Sequence, residues 1–415
     1  MKIICFLGTS KYEETTFVWN GQECVTRFFP VAMAQFMHPE QILICATPTV
    51  RASPNLAAMG AILTEKGISW QVVDIPEGHS EADLWVIFDA MTGVVESGET
   101  VAFDVTHSFR SLPFLAFLAV AYLRIARNVH VERVLYGAWE ARDQQENRSP
   151  VFDLTPFVGL LDWITATDQF VQTGNAKRLA QLLPSSGVTA QEAARDLENV
   201  SQAALVCQPF TLMQNIPALK KSLEAATAQI SQSAPPFNVL RQQMLTQFDL
   251  MLGNVNKPKD VLFAEYAMLE WYYKNHQYVQ FVTLAREWLI DAVTARLGET
   301  LDYNLEKRKP LEEAISGYSL IGEKHPQEQD RKFTPDDLNR FGSVIYRDWT
   351  DTEKEILKTL WRKIKKVRNS IDHAQHQTIS QRKGLTPDRI QTLSDEVMQN
   401  LHKLAEQWDF RHPPI

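Results

Sequence analysis

The alternation of strand-like and helix-like segments stops near residue 160, and that single change commits the chain to two differently built halves. Lys2–Gly8, Gln41–Thr47, Ser69–Pro76 and Thr100–Thr106 are short, rich in β-branched or apolar residues and bounded by turn formers, as strands are. Glu23–Met37, Pro54–Lys66, Glu81–Glu96 and Leu112–Arg127 carry helical periodicity. That order predicts a parallel sheet covered by helices on both faces. Val131–Ala141 and Val151–Leu154, joined by the polar segment Arg142–Ser149, predict an antiparallel hairpin at the sheet edge. After Asp153-Leu154-Thr155-Pro156-Phe157 the strand signal ends.

Almost everything beyond has helical composition. Residues 161–258, interrupted by Pro184, Pro209, Pro217, Pro235, Pro236 and Pro258, are predicted to form a helical connector, and 259–415 an all-α domain. Tyr278, Phe281, Val282, Ala285, Trp288, Leu289 and Ala292 recur at spacings of three and four and mark the buried face of one long helix. Leu305–Asp337, with Pro310, Pro326 and Pro335 among many charges, is predicted to be loop-rich, and Thr352–Val367 and Pro387–Trp408 the last two helices. A chain of 415 residues exceeds what one core usually serves.

The formal charge of −8 excludes a surface that coats nucleic acid by bulk charge, so any such contact needs a local basic patch. Cys5, Cys24, Cys45 and Cys207 form no CxxC pair and read as buried free thiols. Met1–Gly8 is a short apolar run unlike a signal peptide, and Leu112–Leu123 is too short to span a bilayer; the expectation is a cytoplasmic protein with no membrane partner.

Two places carry chemistry. In an open α/β sheet, ligands sit beyond the carboxyl ends of the strands. The first strand ends in Gly8, Thr9, Ser10, Lys11 and Tyr12, the second in Thr47 and Pro48, and the fourth in Thr106, His107, Ser108, Phe109 and Arg110. Small residues with free N–H groups, hydroxyls, an imidazole and cations suit a phosphate, and Tyr12 and Phe109 suit bases. Singly, Thr106 and Ser108 read equally well as helix caps. Neither G-x-G-x-x-G nor a Walker A loop is present.

The second place is Arg368-Asn369-Ser370-Ile371-Asp372-His373, preceded from Lys358 by a run of six basic residues, Arg368 included, with no acidic one. A fixed cation, a group that titrates near neutrality and a basic approach are what metal-free RNA cleavage requires. Arg368 and Asp372 could also be an ordinary helix-surface ion pair, and His373 with His376 a metal pair, although no further ligand spacing supports a metal. On a regular helix Arg368 and His373 lie about 140° apart, whereas Asn369 and His373 share a face. Two copies meeting across a twofold axis would bring both sets into one cleft.

Gly8–Tyr12 after the first strand, Asp104-x-Thr106-His107 after the fourth, and Tyr136-Gly137-Ala138 with Asp153–Phe157 closing the sheet resemble the CRISPR-associated DxTH-motif proteins. The resemblance implies a Rossmann-like CARF domain over residues 1–160 that binds cyclic oligoadenylate, with cyclic tetra-adenylate the expected activator. Ser108 departs from the glycine the family often has there, which leaves the ring size open. Arg368-Asn369-x-x-x-His373 matches the shortest form of the R-x4-6-H motif of HEPN ribonucleases, and Leu284–Leu289 resembles their first long helix. These resemblances imply an activated, metal-independent endoribonuclease of type III CRISPR defence, working as a homodimer or higher homo-oligomer on single-stranded RNA. Arg368, Asn369 and His373 would be catalytic, Lys363, Lys365 and Lys366 would draw in RNA, and no catalytic cofactor is implied. The alternatives are a non-catalytic regulator that binds the signal, or a ring nuclease that degrades it using Lys11 and His107.

Overall fold

A computed structural model describes the chain except residues 107–111, 184–187, 234–236, 329, 373–384 and 412–415. The first part runs β1 (Lys2–Phe6), β2 (Thr15–Trp19), β3 (Gln22–Thr26), α1 (Phe29–Met37), β4 (Gln41–Ala46), α2 (Pro48–Arg51), α3 (Pro54–Glu65), β5 (Ser69–Asp74), α4 (Glu81–Gly93), β6 (Thr100–Asp104), α5 (Leu112–Ala126), β7 (His130–Gly137) and β8 (Arg148–Asp153). One sheet holds all eight strands in the order β3-β2-β8-β7-β6-β1-β4-β5. The block from β7 to β5 is parallel throughout, as the alternation predicts. Successive β1 residues are buried on opposite faces, Ile3 and Cys5 in one apolar cluster with α1 and α3, Ile4 and Phe6 in another with α4 and α5. Burial on both faces is why these strands read as continuous apolar runs.

Two expectations are corrected. The helix expected over Glu23–Met37 begins only at Phe29, and its first residues belong to β3. β2 and β3 form a hairpin whose turn residues Asn20 and Gly21 both have positive φ, 49° and 78°, as a two-residue primed turn demands. The β7–β8 hairpin is antiparallel as expected, but it is not the rim: β2 pairs parallel to β8, and β3 is the outermost strand.

The chain divides into two units, Met1–Asp162 and Trp163–Ile415. The second is all-α among its described residues: α6 (Thr155–Thr173, entering from the first unit), α7 (Lys177–Leu182), α8 (Val188–Leu205), α9 (Pro209–Ser233), α10 (Phe237–Asp249), α11 (Pro258–Lys274), α12 (Tyr278–Arg296), α13 (Leu305–Leu320), α14 (Arg340–Asp348), α15 (Asp351–Asp372) and α16 (Pro387–Gln407). One apolar core extends from Trp163 to Trp408, and helices on either side of residue 258 share it. Near its centre, α12 buries Trp288 completely, and the indole donates to the Leu262 carbonyl of α11 at 3.0 Å. The segment expected to be loop-rich opens instead with α13. Asn304 caps that helix by accepting from Glu306 N at 2.9 Å, and Pro310 sits inside it.

Gly137, at the end of β7, has no room for a side chain. A Cβ there would lie 2.8 Å from the Phe29 ring and 2.9 Å from the Phe17 ring, both buried. Gly137→Val is therefore expected to lower stability by about 1–3 kcal/mol through overpacking, measured by urea unfolding; an unchanged midpoint would refute this.

Candidate functional site

From β1 the chain builds outward to β4 and β5 on one side, then returns to place β6 and β7 on the other. The crevice beyond β1 and β6 is thus the topological switch point, where connections diverge and leave space. A cavity of 280 Å³ opens there, lined among others by Gly8, Thr9, Ser10, Tyr12, Thr47 and Thr106. Six of the predicted ligand residues therefore meet there, although they come from three strand ends. Pro48 begins α2, whose cap Thr47 accepts from Val50 N at 3.3 Å. Lys11 lies in an adjoining chamber. His107, Ser108, Phe109 and Arg110 fall outside the described residues.

Short hydrogen bonds fix the rim. The Gly8 N–H donates to the Tyr12 hydroxyl at 2.7 Å, and a Cβ on residue 8 would stand 2.8 Å from that oxygen. Asn55, in the first turn of α3, donates to the carbonyls of Gly8 and Ser10, each at 2.9 Å. Asp104 accepts from Thr106 N at 2.8 Å, and the Thr106 hydroxyl accepts from Gly137 N at 2.8 Å, tying the end of β6 to that of β7. Sequence reasoning missed Asn55 because an asparagine beside a helix start reads as a cap. It also missed Glu77, which lines the cavity and accepts from Thr49 N at 2.8 Å. Hydrogen bonds from Thr49 hold Glu77 below the usual carboxylate range.

Asp104 is fully buried, and its second carboxylate oxygen has no hydrogen-bond partner among the described residues. Burial pushes its pKa up to about 7, against the lowering effect of the Thr106 bonds. Burial likewise drives the neighbouring Cys5 thiol well up and Tyr12 to about 12, Asp104 adding to both.

In the second unit, Arg368 and Asn369 lie on α15 and line a cavity of 130 Å³ with Arg286, Glu312, Ser316, Trp361, Ile364 and Lys365. Spacings of three and four put Trp361, Ile364, Lys365, Arg368 and Asn369 on one helix face. Arg286 of α12 is gripped by Glu287 and by Glu312 of α13. Glu287 also pairs with Arg308 at 3.0 Å, and Arg308 with the buried Asp291 at 2.7 Å. An ionic ladder thus reaches from the cavity wall into the interior. His373 falls outside the described residues.

The basic run is divided in its use. Lys358 donates to the Ile321 carbonyl at 3.3 Å, and Arg362 to the Ser319 carbonyl at 2.7 Å, so both complete the C-terminal end of α13. Lys363 pairs with Glu396 of α16 at 2.6 Å. Of the three lysines expected to approach RNA, Lys365 alone lines the cavity; Lys366 is exposed on another face.

The family model described as CRISPR-associated protein MJ1674, second domain, matches residues 159–252. The CRISPR-associated protein MJ1674 of Methanocaldococcus jannaschii is 28% identical over 131 residues, 31% of this chain. That stretch makes up only 20% of the relative's own length. Among solved structures, Enterococcus italicus Csm6 bound to cyclic hexa-2′-fluoro-hexa-dAMP aligns over 98% of this chain and 94% of its own, at 9% identity and a TM-score of 0.44. No helix among the described residues is long and apolar enough to cross a membrane.

The buried Asp104 generates a pH test. Its folded pKa of about 7 exceeds the ordinary value of 3.8, so between these values the folded chain holds a proton the unfolded chain has lost. Its contribution to stability therefore falls as pH rises through that window and levels off above it. Asp104→Asn should gain on the wild type between pH 4 and 7, by on the order of 4 kcal/mol. Urea unfolding at several pH values measures the gain, and parallel curves would refute the assignment.

Proposed function

We propose that the chain is a cyclic-oligoadenylate-activated, metal-independent endoribonuclease of CRISPR-linked defence. The observation that carries the proposal is the gathering of Arg368, Asn369 and Lys365 on one face of α15, around a small cavity walled by Arg286. Cations around a space of that size suit a phosphodiester. The strand-end crevice supports a regulatory ligand in residues 1–160, and the likeness of 131 residues to a CRISPR-associated protein supports the setting. On this reading 161–258 is a connector and 259–415 the nuclease.

The ribose supplies the nucleophile. Its 2′-oxygen attacks the adjacent phosphorus, the P–O5′ bond breaks, and the products are a 2′,3′-cyclic phosphate and a 5′-hydroxyl. Arg368 holds the phosphate and stabilises the charge that builds on its oxygens. His373 takes the 2′-hydroxyl proton or gives one to the leaving 5′-oxygen, and Asn369 orients the scissile group. A second copy of the chain supplies the matching set. An apolar stripe on α4 and α5 supports such pairing. Trp85, Phe114 and Ile125 are 69%, 67% and 72% exposed, flanked by Val86, Leu118 and Tyr122. Side chains of this size offer roughly 600 Å², approaching the ~800 Å² per partner of a standard interface. That area lies at the upper end of what a monomer leaves to water in one patch.

Arg368→Ala is expected to lower cyclic-tetra-adenylate-triggered cleavage of fluorescent RNA by about 10²–10⁴-fold without loss of ligand binding. A 2′-deoxy nucleotide at the cut should abolish cleavage; DNA cut at a similar rate would rule out the chemistry. Phe114→Glu should halve the mass seen by light scattering and weaken cleavage in parallel. A dimer that survives the change would move the interface elsewhere.

A further inference from the structure

Two chambers meet at the end of β1, and their linings differ in charge. The 280 Å³ cavity has Glu77 as the one charged side chain among its described lining residues. Across the ridge of Ser10, Tyr12 and Thr106, which lines both, lies a chamber of 460 Å³ that takes in Lys11, Arg27, Arg142 and Trp139. Arg142 is held ready, its guanidinium carbon 3.8 Å above the Trp139 ring centroid and its Nη1 3.3 Å from Asn147 Oδ1. Lys11 and Arg27 make no hydrogen bond or ion pair among the described residues, in a chain of net charge −8. Two carboxylates line this chamber as well. Glu140 accepts from the Tyr136 hydroxyl at 2.5 Å, and Glu13 stands 3.9 Å from Arg142.

Resting on the cyclic-oligoadenylate reading above, we infer that the two chambers divide the ligand between them. A phosphodiester sits among Lys11, Arg27 and Arg142, and a base enters the neighbouring cavity with its amino edge toward Glu77. The physics is direct. An anion placed in the first cavity meets a carboxylate and no cation, whereas in the second three cations, one a stacked guanidinium, outnumber the two carboxylates Glu13 and Glu140. An exocyclic amine is a donor only, and Glu77 is an acceptor only. The Ser10–Thr106 ridge then carries the sugar between them. Arg27 follows β3 and Arg142 follows the 3₁₀ turn Trp139–Ala141, so both lie outside the strand-end residues that the sequence marks.

The test is the binding of fluorescent cyclic tetra-adenylate to the full-length chain over a series of salt concentrations. Each cation that meets a phosphate adds about one to the slope of log affinity against log salt. Arg27→Ala and Arg142→Ala should each lose about tenfold in affinity and flatten that slope, while Glu77→Gln changes affinity with the slope intact. Arg27 is exposed, so its variant tests the inference even if Arg142→Ala unfolds. Wild-type slope and affinity in Arg27→Ala, or a flattened slope in Glu77→Gln, would overturn the division between chambers. A wild-type chain that binds no cyclic tri-, tetra- or hexa-adenylate would instead overturn the reading on which it rests.

Discussion

Backbone amides at a strand's carboxyl end must find partners once the ladder ends. The structure meets that need with a relay of three groups: the Asp104 carboxylate accepts from Thr106 N, and the Thr106 hydroxyl accepts from Gly137 N. The relay holds the ends of β6 and β7 together beside the crevice that opens beyond β6 and β1. Both chambers border on Thr106, so the shape of the crevice depends on that one residue staying where the relay puts it.

Much of the first unit could be read from the sequence because burial on both faces leaves an unbroken apolar signature. β1, β4 and β6 fall within the expected spans for that reason. The hairpin β2–β3 was missed although Asn20-Gly21 is a strong local signal. Cys24, Val25 and the residues after them merge into the apolar run of α1, so a helical period extends across the junction. α13 was missed for the opposite reason: three prolines and many charges suggested a loop, yet Pro310 alone lies within the helix, which Asn304 caps.

The candidate sites divide in the same way. Residues contiguous in sequence, such as Gly8–Tyr12 and Arg368–Asn369, could be marked because each brings several chemistries at once. Asn55, Arg27, Glu77 and Arg142 come singly from separate segments, and nothing local distinguishes them from ordinary surface or capping residues. The basic run shows the limit most plainly. Composition gives the sign of six charges, but not that α13 takes up two of them and α16 a third.

That use of charge has a mechanical consequence for α15. Lys358, Arg362 and Lys363 tether the helix on two flanks, to the last carbonyls of α13 and to a carboxylate of α16. Twisting α15 about its long axis to re-aim Arg368 would rupture all of these tethers together. A displacement of α15 that keeps these tethers must carry α13 and α16 with it, so moving the three helices together breaks fewer contacts than turning α15 alone.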